Sequence, residues 1–410
     1  MPRNLPLKLL LHLQVYSGVP SELNKEYPFN CKWTKKGLHK QEDVVELFPE
    51  DIVIEILLKL PVKSLLRFKT VRKSWYSIID CTKFIKKHLN LAHAARYNQH
   101  KNFLGLVVPD KYASYPCVSY KEDSDGIIHV KEFDFPCKLF DDHEKELPVK
   151  FCNSCDGLIC IAFVEDNRIL IWNPFLPTEY KIIQSQRISK FRAVAMGYDP
   201  TSDDYKIVEV PGFSDIDEDH FFVEICSLKS SSWRSQKISK RNLIGYCTGR
   251  LIYAKNGLHW RCYVEDERLD SIIYFDLAEE SLDYVNLPSK SLTRSVLINY
   301  KDSIALGGKN SEGQQELWVL KDYSGMKSSW NKIYRVINIS PSFCRYFSFR
   351  LNGEILVLRM KGALAKYDAK NDSFELVVVK DDNITYNEEC SYYFCASPYI
   401  ESLVSLRRLQ

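Results

Sequence analysis

The sequence predicts a multi-domain α+β protein in which a short helical unit precedes an all-β domain. In residues 49–80, apolar side chains recur at helical spacing after prolines that suit helix starts. Beyond about residue 100 the pattern changes to short alternating or continuous apolar runs separated by Gly, Pro, Asn and Asp, which is typical of strands and turns. Because these runs recur about every 50 residues with about four strands in each unit, the all-β domain is predicted to be a β-propeller.

The N-terminal extension, residues 1–44, is expected to be disordered, because residues 16–44 are polar and lack periodicity. Residues 5–15 are apolar and superficially similar to a signal peptide, but His12 and Gln14 interrupt the run and no small-residue cleavage site follows. No apolar run approaches the length needed to cross a bilayer. We therefore expect no interaction with a membrane.

The helical unit is predicted to span residues 45–90. Pro49 and Pro61 mark two helix starts, since proline is tolerated in the first helical turn. Between them, Ile52, Ile56 and Leu60 recur at a spacing of four residues and form an apolar stripe. A unit this small cannot bury all of its apolar surface by itself, so we expect it to bind a partner.

This stretch resembles an F-box. The resemblance is carried by Phe48-Pro49, Ile52, Ile56-Leu57, Leu60-Pro61-Val62-Lys63-Ser64-Leu65, Arg67-Phe68 and Lys73-Ser74-Trp75. Phe48 is a departure, because the family usually has leucine there. The resemblance implies that the unit binds a Skp-type adaptor and, through it, the cullin and RING subunits of a ubiquitin ligase. A plain helical cap on the following domain is the alternative.

The resemblance also implies which residues face the adaptor or support the box. They are Phe48, Pro49, Ile52, Ile56, Leu57, Leu60, Pro61, Leu65, Val71 and Trp75. The charge of this region is consistent with an adaptor partner, because the stretch from Lys59 to Lys101 contains eleven Lys or Arg and one acid, Asp80. The adaptors of this family tend to be acidic, so we predict an acidic protein partner and no nucleic acid, with a solvated helix face as the alternative.

A helical linker is predicted for residues 91–101 and the β-propeller for residues 102–405. The predicted strands include Leu158–Val164, Arg168–Trp172, Lys206–Val210, Phe221–Cys226, Ser271–Phe275, Leu317–Leu320 and Glu354–Leu358. Turn residues recur at positions 173, 227, 276, 321 and 368, in steps of 54, 49, 45 and 47 residues. With a first blade near 103–138, this kelch-like period predicts about six blades, with one more possible.

An aromatic residue follows each of these turns, and we interpret it as core between blades and not as a ligand site. These aromatics are Tyr180, Trp233, Tyr284, Trp330 and Phe374. Asp-Gly and Asn-Gly pairs at 156–157 and 256–257 predict tight hairpins, because such turns need positive φ.

The all-β region resembles the F-box-associated domain of a large plant family. Matching phrases include Cys155-Asp156-Gly157-Leu158, Trp172-Asn173-Pro174, Met196-Gly197-Tyr198-Asp199-Pro200, Asn256-Gly257-Leu258-His259-Trp260 and Tyr399-Ile400-Glu401-Ser402-Leu403-Val404. Together with the box, the resemblance covers about residues 46–405. The final phrase is similar to the ending of pollen S-locus F-box proteins.

Catalytic and metal-binding patterns are weak in this sequence. Cys152 and Cys155 have a metal-site spacing, but no second cysteine pair or suitably spaced histidines accompany them. His259 is interpreted as structural. Neither a nucleophile elbow nor a phosphate-binding glycine loop is present. We expect no metal, no cofactor and no catalysis, with a propeller enzyme as a remote alternative.

One acidic stretch suggests target recognition. Residues 209–224 are predicted to connect two strands and include Asp215, Asp217, Glu218 and Asp219. Propeller loops of this kind build binding surfaces, so we predict that these four residues bind a basic target. A solvated loop is the alternative.

The predicted function is that of the substrate-recognition subunit of a Skp–cullin–F-box ubiquitin ligase, whose propeller binds a protein that the sequence does not identify. A propeller that serves as a binding or scaffold protein outside any ligase is the alternative. The thirteen scattered cysteines read as reduced, which predicts a cytoplasmic or nuclear location.

Overall fold

The computed structural model describes residues 49–98, 102–108, 117–122, 128–137, 149–163, 167–185, 193–210, 220–239, 246–263, 270–288, 292–300, 303–322, 328–336, 347–349, 355–358, 364–368, 373–376, 379–380 and 393–409. The chain divides into two compact units, Met1–Leu91 and Ala92–Gln410. The N-terminal extension for which disorder is expected lies outside the described residues. No helix in the described ranges is long and apolar enough to span a membrane.

The first unit is helical. Its helices are α1 (Glu50–Leu57), α2 (Val62–Phe68), α3 (Lys73–Asp80) and α4 (Thr82–Asn98), the last of which continues into the second unit. Pro49 and Pro61 directly precede α1 and α2, as predicted, and each holds the extended backbone that a helix N-cap needs. Glu50 and Asp51 occupy the first turn of α1, where carboxylates stabilise the positive end of the helix dipole.

A small core holds the first three helices together. Leu57 of α1, Leu65 and Phe68 of α2, and Trp75 and Ile79 of α3 are all buried. The rings of Phe68 and Trp75 meet edge to face, with centroids 5.3 Å apart, an arrangement that adds stability beyond the area it buries.

The second unit consists of short antiparallel strands. They are β1 (Asn102–Val108), β2 (Cys117–Glu122), β3 (Ile128–Phe133), β4 (Val149–Cys155), β5 (Leu158–Phe163), β6 (Arg168–Trp172), β7 (Tyr180–Gln184), β8 (Ala193–Asp199), β9 (Asp204–Val210), β10 (His220–Ser227), β11 (Trp233–Ser239), β12 (Tyr246–Ala254), β13 (Gly257–Tyr263), β14 (Asp270–Asp276), β15 (Leu282–Val285), β16 (Thr293–Tyr300), β17 (Ser303–Lys309), β18 (Gln315–Asp322), β19 (Ser329–Val336), β20 (Phe347–Phe349), β21 (Ile355–Leu358), β22 (Leu364–Asp368), β23 (Ser373–Leu376), β24 (Val379–Lys380) and β25 (Tyr393–Pro398).

The described strands form six sheets. Five are four-stranded meanders of consecutive strands: β4–β7, β8–β11, β12–β15, β16–β19 and β20–β23. The sixth has the order β24-β3-β2-β1-β25, in which only the short β24 pairs in parallel. The periodic turn residues lie at or next to the end of the third strand in each meander. The predicted all-β domain with a four-stranded repeat is therefore confirmed, and the number of blades in the whole chain stays a prediction.

The first strands of neighbouring meanders are hydrogen-bonded to each other. Asn153 of β4 exchanges two bonds with the backbone of Met196 in β8, at 2.6 and 2.9 Å. The Tyr253 hydroxyl of β12 donates to the Tyr198 carbonyl of β8 at 3.0 Å, and the Asn299 amide of β16 donates to the Tyr253 carbonyl at 2.6 Å. Because Tyr198, Tyr253 and Asn299 are each the penultimate residue of their strand, the three strands end at the same edge.

Tight turns on this edge follow the predicted chemistry. Asp156 and Gly157 both have positive φ, 52° and 84°, which a two-residue hairpin between β4 and β5 requires. The β12–β13 turn is shifted by one residue from its predicted position. Its positive φ angles belong to Lys255 and Asn256, and Gly257 already begins β13.

The repeated aromatics have two different environments. Trp233 donates its indole N–H to the Gln184 carbonyl of the preceding sheet at 2.9 Å, and Trp330 donates to the Asn286 carbonyl at 2.7 Å. Tyr180 and Tyr284 occupy the outer strands β7 and β15 and are 43% and 38% exposed. The prediction of core between blades is therefore wrong for these two tyrosines, which lie on strands with open faces. The side chain of Phe374 lies outside the described residues.

The C-terminal segment completes the first sheet and then crosses to the next. Strand β25 pairs with β1 from Phe103↔Pro398 to Val108↔Tyr393. Beyond it, the buried Asn173 amide donates to the carbonyls of Ser402 and Val404, at 3.1 and 2.9 Å. The Ser402 hydroxyl donates to the Asp156 carbonyl at 2.5 Å. Residues more than 220 positions apart therefore form one contact region at the start and end of the propeller.

Candidate functional site

The predicted box residues divide into exposed and buried sets. Ile52 and Val71 are each 43% exposed, Pro49 and Pro61 are exposed, and Ile56 and Leu60 are half-buried. These six residues offer surface to a partner. Phe48 lies outside the described residues.

Leu57, Leu65 and Trp75 are buried in the small core, so of the two predicted roles they fit support of the box and not direct contact with an adaptor. Leu57 and Leu65 are almost completely buried, and the Trp75 ring packs on Phe68. The apolar spacing alone could not separate these residues from the exposed ones, because both sets are apolar and belong to the same helices.

The apolar face of α1 is only partly covered by the core. Val53 and Leu57 are buried, whereas Ile52 is exposed and Ile56 is half-buried. A surface helix ordinarily turns its whole apolar stripe toward the core. The uncovered part of this face leaves hydrophobic area in water, and its burial against a partner would be favourable by roughly 25 cal/mol per Å².

Basic side chains surround this surface. Lys59, Lys63, Lys73 and Lys83 are exposed. Lys69 forms an ion pair with Asp80 at 2.8 Å, and Lys87 forms one with Glu55 at 2.7 Å. The hydrogen bond and charge of Lys87 hold the pKa of Glu55 below its ordinary value. The surface potential of the helical unit is therefore positive, which suits an acidic partner.

Tyr76 was not identified from the sequence. It follows the buried Trp75 in α3 and is 51% exposed, because Trp75 and Ile79 define the inward side of that helix and Tyr76 lies off it. The Lys69 ammonium lies 5.8 Å from the centroid of its ring. Its position in the sequence could have identified it. Trp75 and Ile79 are four residues apart and mark the buried side of the helix, and Tyr76 does not share that spacing.

The predicted acidic target-binding residues, Asp215, Asp217, Glu218 and Asp219, lie outside the described residues. The ends of the same stretch are described and are not part of a loop. Glu209 of β9 and Glu224 of β10 are paired across the two strands and buried, and they accept hydrogen bonds from Ser185 at 2.7 Å and Ser235 at 2.9 Å.

The residues with catalytic or metal-site patterns are buried. Cys152 and Cys155 are buried strand residues, and no group of three or more His, Cys, Asp or Glu is placed to hold a metal ion in the described part. His259 is completely buried, and this burial lowers its pKa to about 3. The neutral ring donates Nδ1–H to the Ile252 carbonyl at 3.3 Å, and its centroid lies 5.0 Å from that of the tilted Tyr274 ring.

Two protein families match the chain in the order of these two units. The family described as F-box domain matches residues 46–87, which include α1, α2 and α3. The family described as F-box associated beta propeller domain matches residues 119–406, which extend from β2 to the segment that contacts Asn173.

Curated relatives agree over most of the chain. A putative F-box protein of Arabidopsis thaliana is 29% identical over 291 residues, covering 69% of this chain and 70% of the relative. An F-box/kelch-repeat protein of the same plant is 25% identical over 344 residues, covering 80% and 90%. The F-box protein CPR1, also from Arabidopsis thaliana, is 25% identical over 378 residues, covering 83% and 86%.

Proposed function

The chain belongs to the F-box proteins that carry an F-box-associated β-propeller domain, and from this we propose that it is the substrate-recognition subunit of a Skp–cullin–F-box ubiquitin ligase. The F-box implies binding to a Skp-type adaptor. The propeller then holds a target protein, and the cullin and RING subunits bring the ubiquitin-loaded enzyme to it.

The uncovered part of the apolar face of α1 carries this proposal. Ile52 is exposed beside a core that Leu57 already fills, so the exposed apolar area is available for an adaptor. A stable interface of this kind buries roughly 1,200 Å² or more in total. Exposed lysines around it favour an acidic partner and speed encounter more than they add affinity.

The strand directions indicate which edge of the propeller is suited to bind a target. The turns after β4, β8 and β12 leave one edge of the propeller, so the connections β5–β6, β9–β10 and β13–β14 join strand ends at the opposite edge. The sequence of the second connection contains the four acids at 215, 217, 218 and 219. The first and third contain further acids at 165, 166, 265, 266 and 267. We propose that these connections contact a basic target.

The proposed role requires no chemistry from this chain. A target held by the propeller meets the conjugating enzyme at a raised effective concentration, and the rate of ubiquitin transfer rises through proximity. We also propose that this occurs in the cytoplasm or nucleus, where scattered cysteines remain reduced.

The test is affinity purification of the full chain under proteasome inhibition. We expect the wild type to recover a Skp-type adaptor and a cullin, and the Ile52→Asp/Val71→Asp variant to lose both while keeping its bound targets. Ile182→Asp, which places the same charge at an exposed apolar residue of β7, is the matched control.

Targets that carry ubiquitin only with the wild type support the ligase role. Recovery of the adaptor by the Ile52→Asp/Val71→Asp variant would contradict the assigned surface. Absence of any adaptor from the wild type would favour the scaffold function instead.

A further inference from the structure

Among the residues whose side chains the structure describes, the most exposed large apolar one lies on the outer side of α3. Tyr76 is 51% exposed, whereas its neighbour Trp75 is buried against Phe68. Tyrosine is among the residues that dominate binding energy in protein interfaces, because it combines a large apolar ring with few rotatable bonds. An exposed tyrosine on a helix this well anchored is suited to contact a partner.

Lys69 limits the freedom of the Tyr76 ring. Its ammonium is held by Asp80 at 2.8 Å and lies 5.8 Å from the ring centroid, within the range of a cation–π contact. The ion pair is partly buried, so the lysine is itself positioned. A side chain that is ordered before binding loses less conformational entropy when a partner covers it.

We propose that Tyr76 is an anchor of the surface that binds the Skp-type adaptor, an inference that rests on the proposed function. Val71, one of the exposed box residues, lies in the turn directly before α3, the helix that carries the exposed Tyr76. Lys73 is exposed one helical turn before Tyr76. An aromatic centre with a basic rim fits an acidic surface of the adaptor that contains an apolar pocket.

The experiment measures the affinity of the full chain for a purified plant Skp-type adaptor. Tyr76→Ala is expected to weaken binding by about tenfold or more, the usual effect of truncating a hot-spot aromatic. Tyr76→Phe keeps the ring and is expected to retain most of the affinity. Tyr180→Ala removes another exposed tyrosine, 43% exposed, from β7 of the propeller and is expected to leave the affinity unchanged.

A charge change on the rim gives a second measurement. Lys73→Glu is expected to weaken adaptor binding most at low salt, because screening reduces the contribution of exposed charges. The melting temperatures of Tyr76→Ala and Lys73→Glu are expected to match the wild type, since both side chains are exposed.

The outcomes separate this inference from the function on which it rests. If the wild type does not bind the adaptor, the proposed function fails. If the wild type binds and Tyr76→Ala binds equally well, the function stands and the role of Tyr76 is overturned. Unchanged affinity with a lower melting temperature for Tyr76→Ala also overturns it, because the ring then covers another part of this chain.

Discussion

Asn173 and Ser402 are 229 positions apart in the chain, yet the amide of the first donates a hydrogen bond to the carbonyl of the second at 3.1 Å. The same amide group also bonds Val404, and the Asn173 carbonyl oxygen Oδ1 accepts from the Phe175 N–H at 3.0 Å. A single completely buried side chain therefore connects the turn after β6 to the segment after β25.

Replacing Asn173 by alanine should destabilise the propeller by about 2–4 kcal/mol, because two buried carbonyls lose their donor. Thermal or denaturant unfolding of the purified chain measures this. Asn331→Ala, at an exposed asparagine of β19, is the control and should change the free energy of unfolding by less than about 0.5 kcal/mol. Equal effects of the two variants would contradict the role of Asn173.

Gly157→Ala should destabilise the protein more than Gly313→Ala. Both glycines have positive φ, 84° and 79°, so each alanine carries a similar backbone strain of about 1 kcal/mol. A Cβ at position 157 would in addition clash with the Ser402 hydroxyl and lie 2.8 Å from the Ile400 carbonyl, whereas a Cβ at 313 meets nothing within 4 Å.

The extra loss at position 157 is expected to be about 1–3 kcal/mol, the usual cost of overpacking. Unfolding midpoints of the two variants measure it directly. Gly157→Ala should cost less in a Ser402→Gly background than in the wild type. Equal costs in the two backgrounds would mean that the clash with Ser402 is not the cause.

Asp199 should make stability depend on pH in the acid range. Burial by itself would raise its pKa, but hydrogen bonds from Lys206, Ser202 and Thr201 lower it to about 2 from an ordinary 3.8. A carboxyl with a lowered pKa stabilises the fold fully above its unfolded pKa and loses that effect as pH falls through the folded one. Its contribution, on the order of 2 kcal/mol, should disappear between about pH 4 and pH 2.

The measurement compares the wild type with Asp199→Asn in denaturant at several pH values. The variant should be less stable near neutrality, because Lys206 loses a 2.8 Å ion-pair partner. The difference between the two proteins should become smaller as the pH falls below about 4. A difference that stays constant with pH would contradict the assignment.

The buried Leu57 and the exposed Ile52 of α1 should give opposite results on truncation. Leu57→Ala is expected to lower the free energy of unfolding of the helical unit by about 2–5 kcal/mol, since it leaves a cavity in a small core. Ile52→Ala should change that free energy by no more than about 0.5 kcal/mol and weaken adaptor binding instead. Unfolding curves and adaptor affinity, measured on the same samples, separate the two effects.

Reversing the acids between β9 and β10 should weaken target binding without affecting the adaptor. The variant carries Asp215→Lys, Asp217→Lys, Glu218→Lys and Asp219→Lys. Proteins captured by the wild type are expected to be recovered in lower amount with the variant, at equal adaptor recovery, because a basic target would now be repelled. Replacing the same four residues by Asn and Gln controls for loss of charge alone. If the variant captures every target as well as the wild type does, the proposal that these acids bind the target is wrong.

Much of the propeller could be predicted from local sequence. Strand β6 has the predicted bounds. Strand β9 begins two residues earlier than predicted, because the polar Asp204 already pairs with Asp199 of β8. The bounds of these strands follow from the alternation of apolar and polar residues and from turn residues that lie within ten positions in the sequence. The association of β1 with β25 has no such local signal, because pairing at long separation leaves no periodicity.

The candidate site could be predicted only as a group of residues. Ile52 and Leu57 are both apolar and both belong to the predicted set of box residues, and only packing shows that Leu57 is buried and Ile52 exposed. Tyr76 was missed because an aromatic next to a core tryptophan looks like part of the same core. The acids at 215–219 lie outside the described residues and stay a prediction.

The pairing of β1 with β25 has a consequence for how this protein is made. From Val108 to Pro398 the ribosome must add 290 residues, which takes about 15–60 s at about 5–20 residues per second. Throughout that time one edge of β1 has no strand beside it, and unpaired edges favour aggregation. Chaperones that bind nascent chains are therefore expected to shield β1, and a premature stop codon anywhere before residue 393 should send the product to degradation.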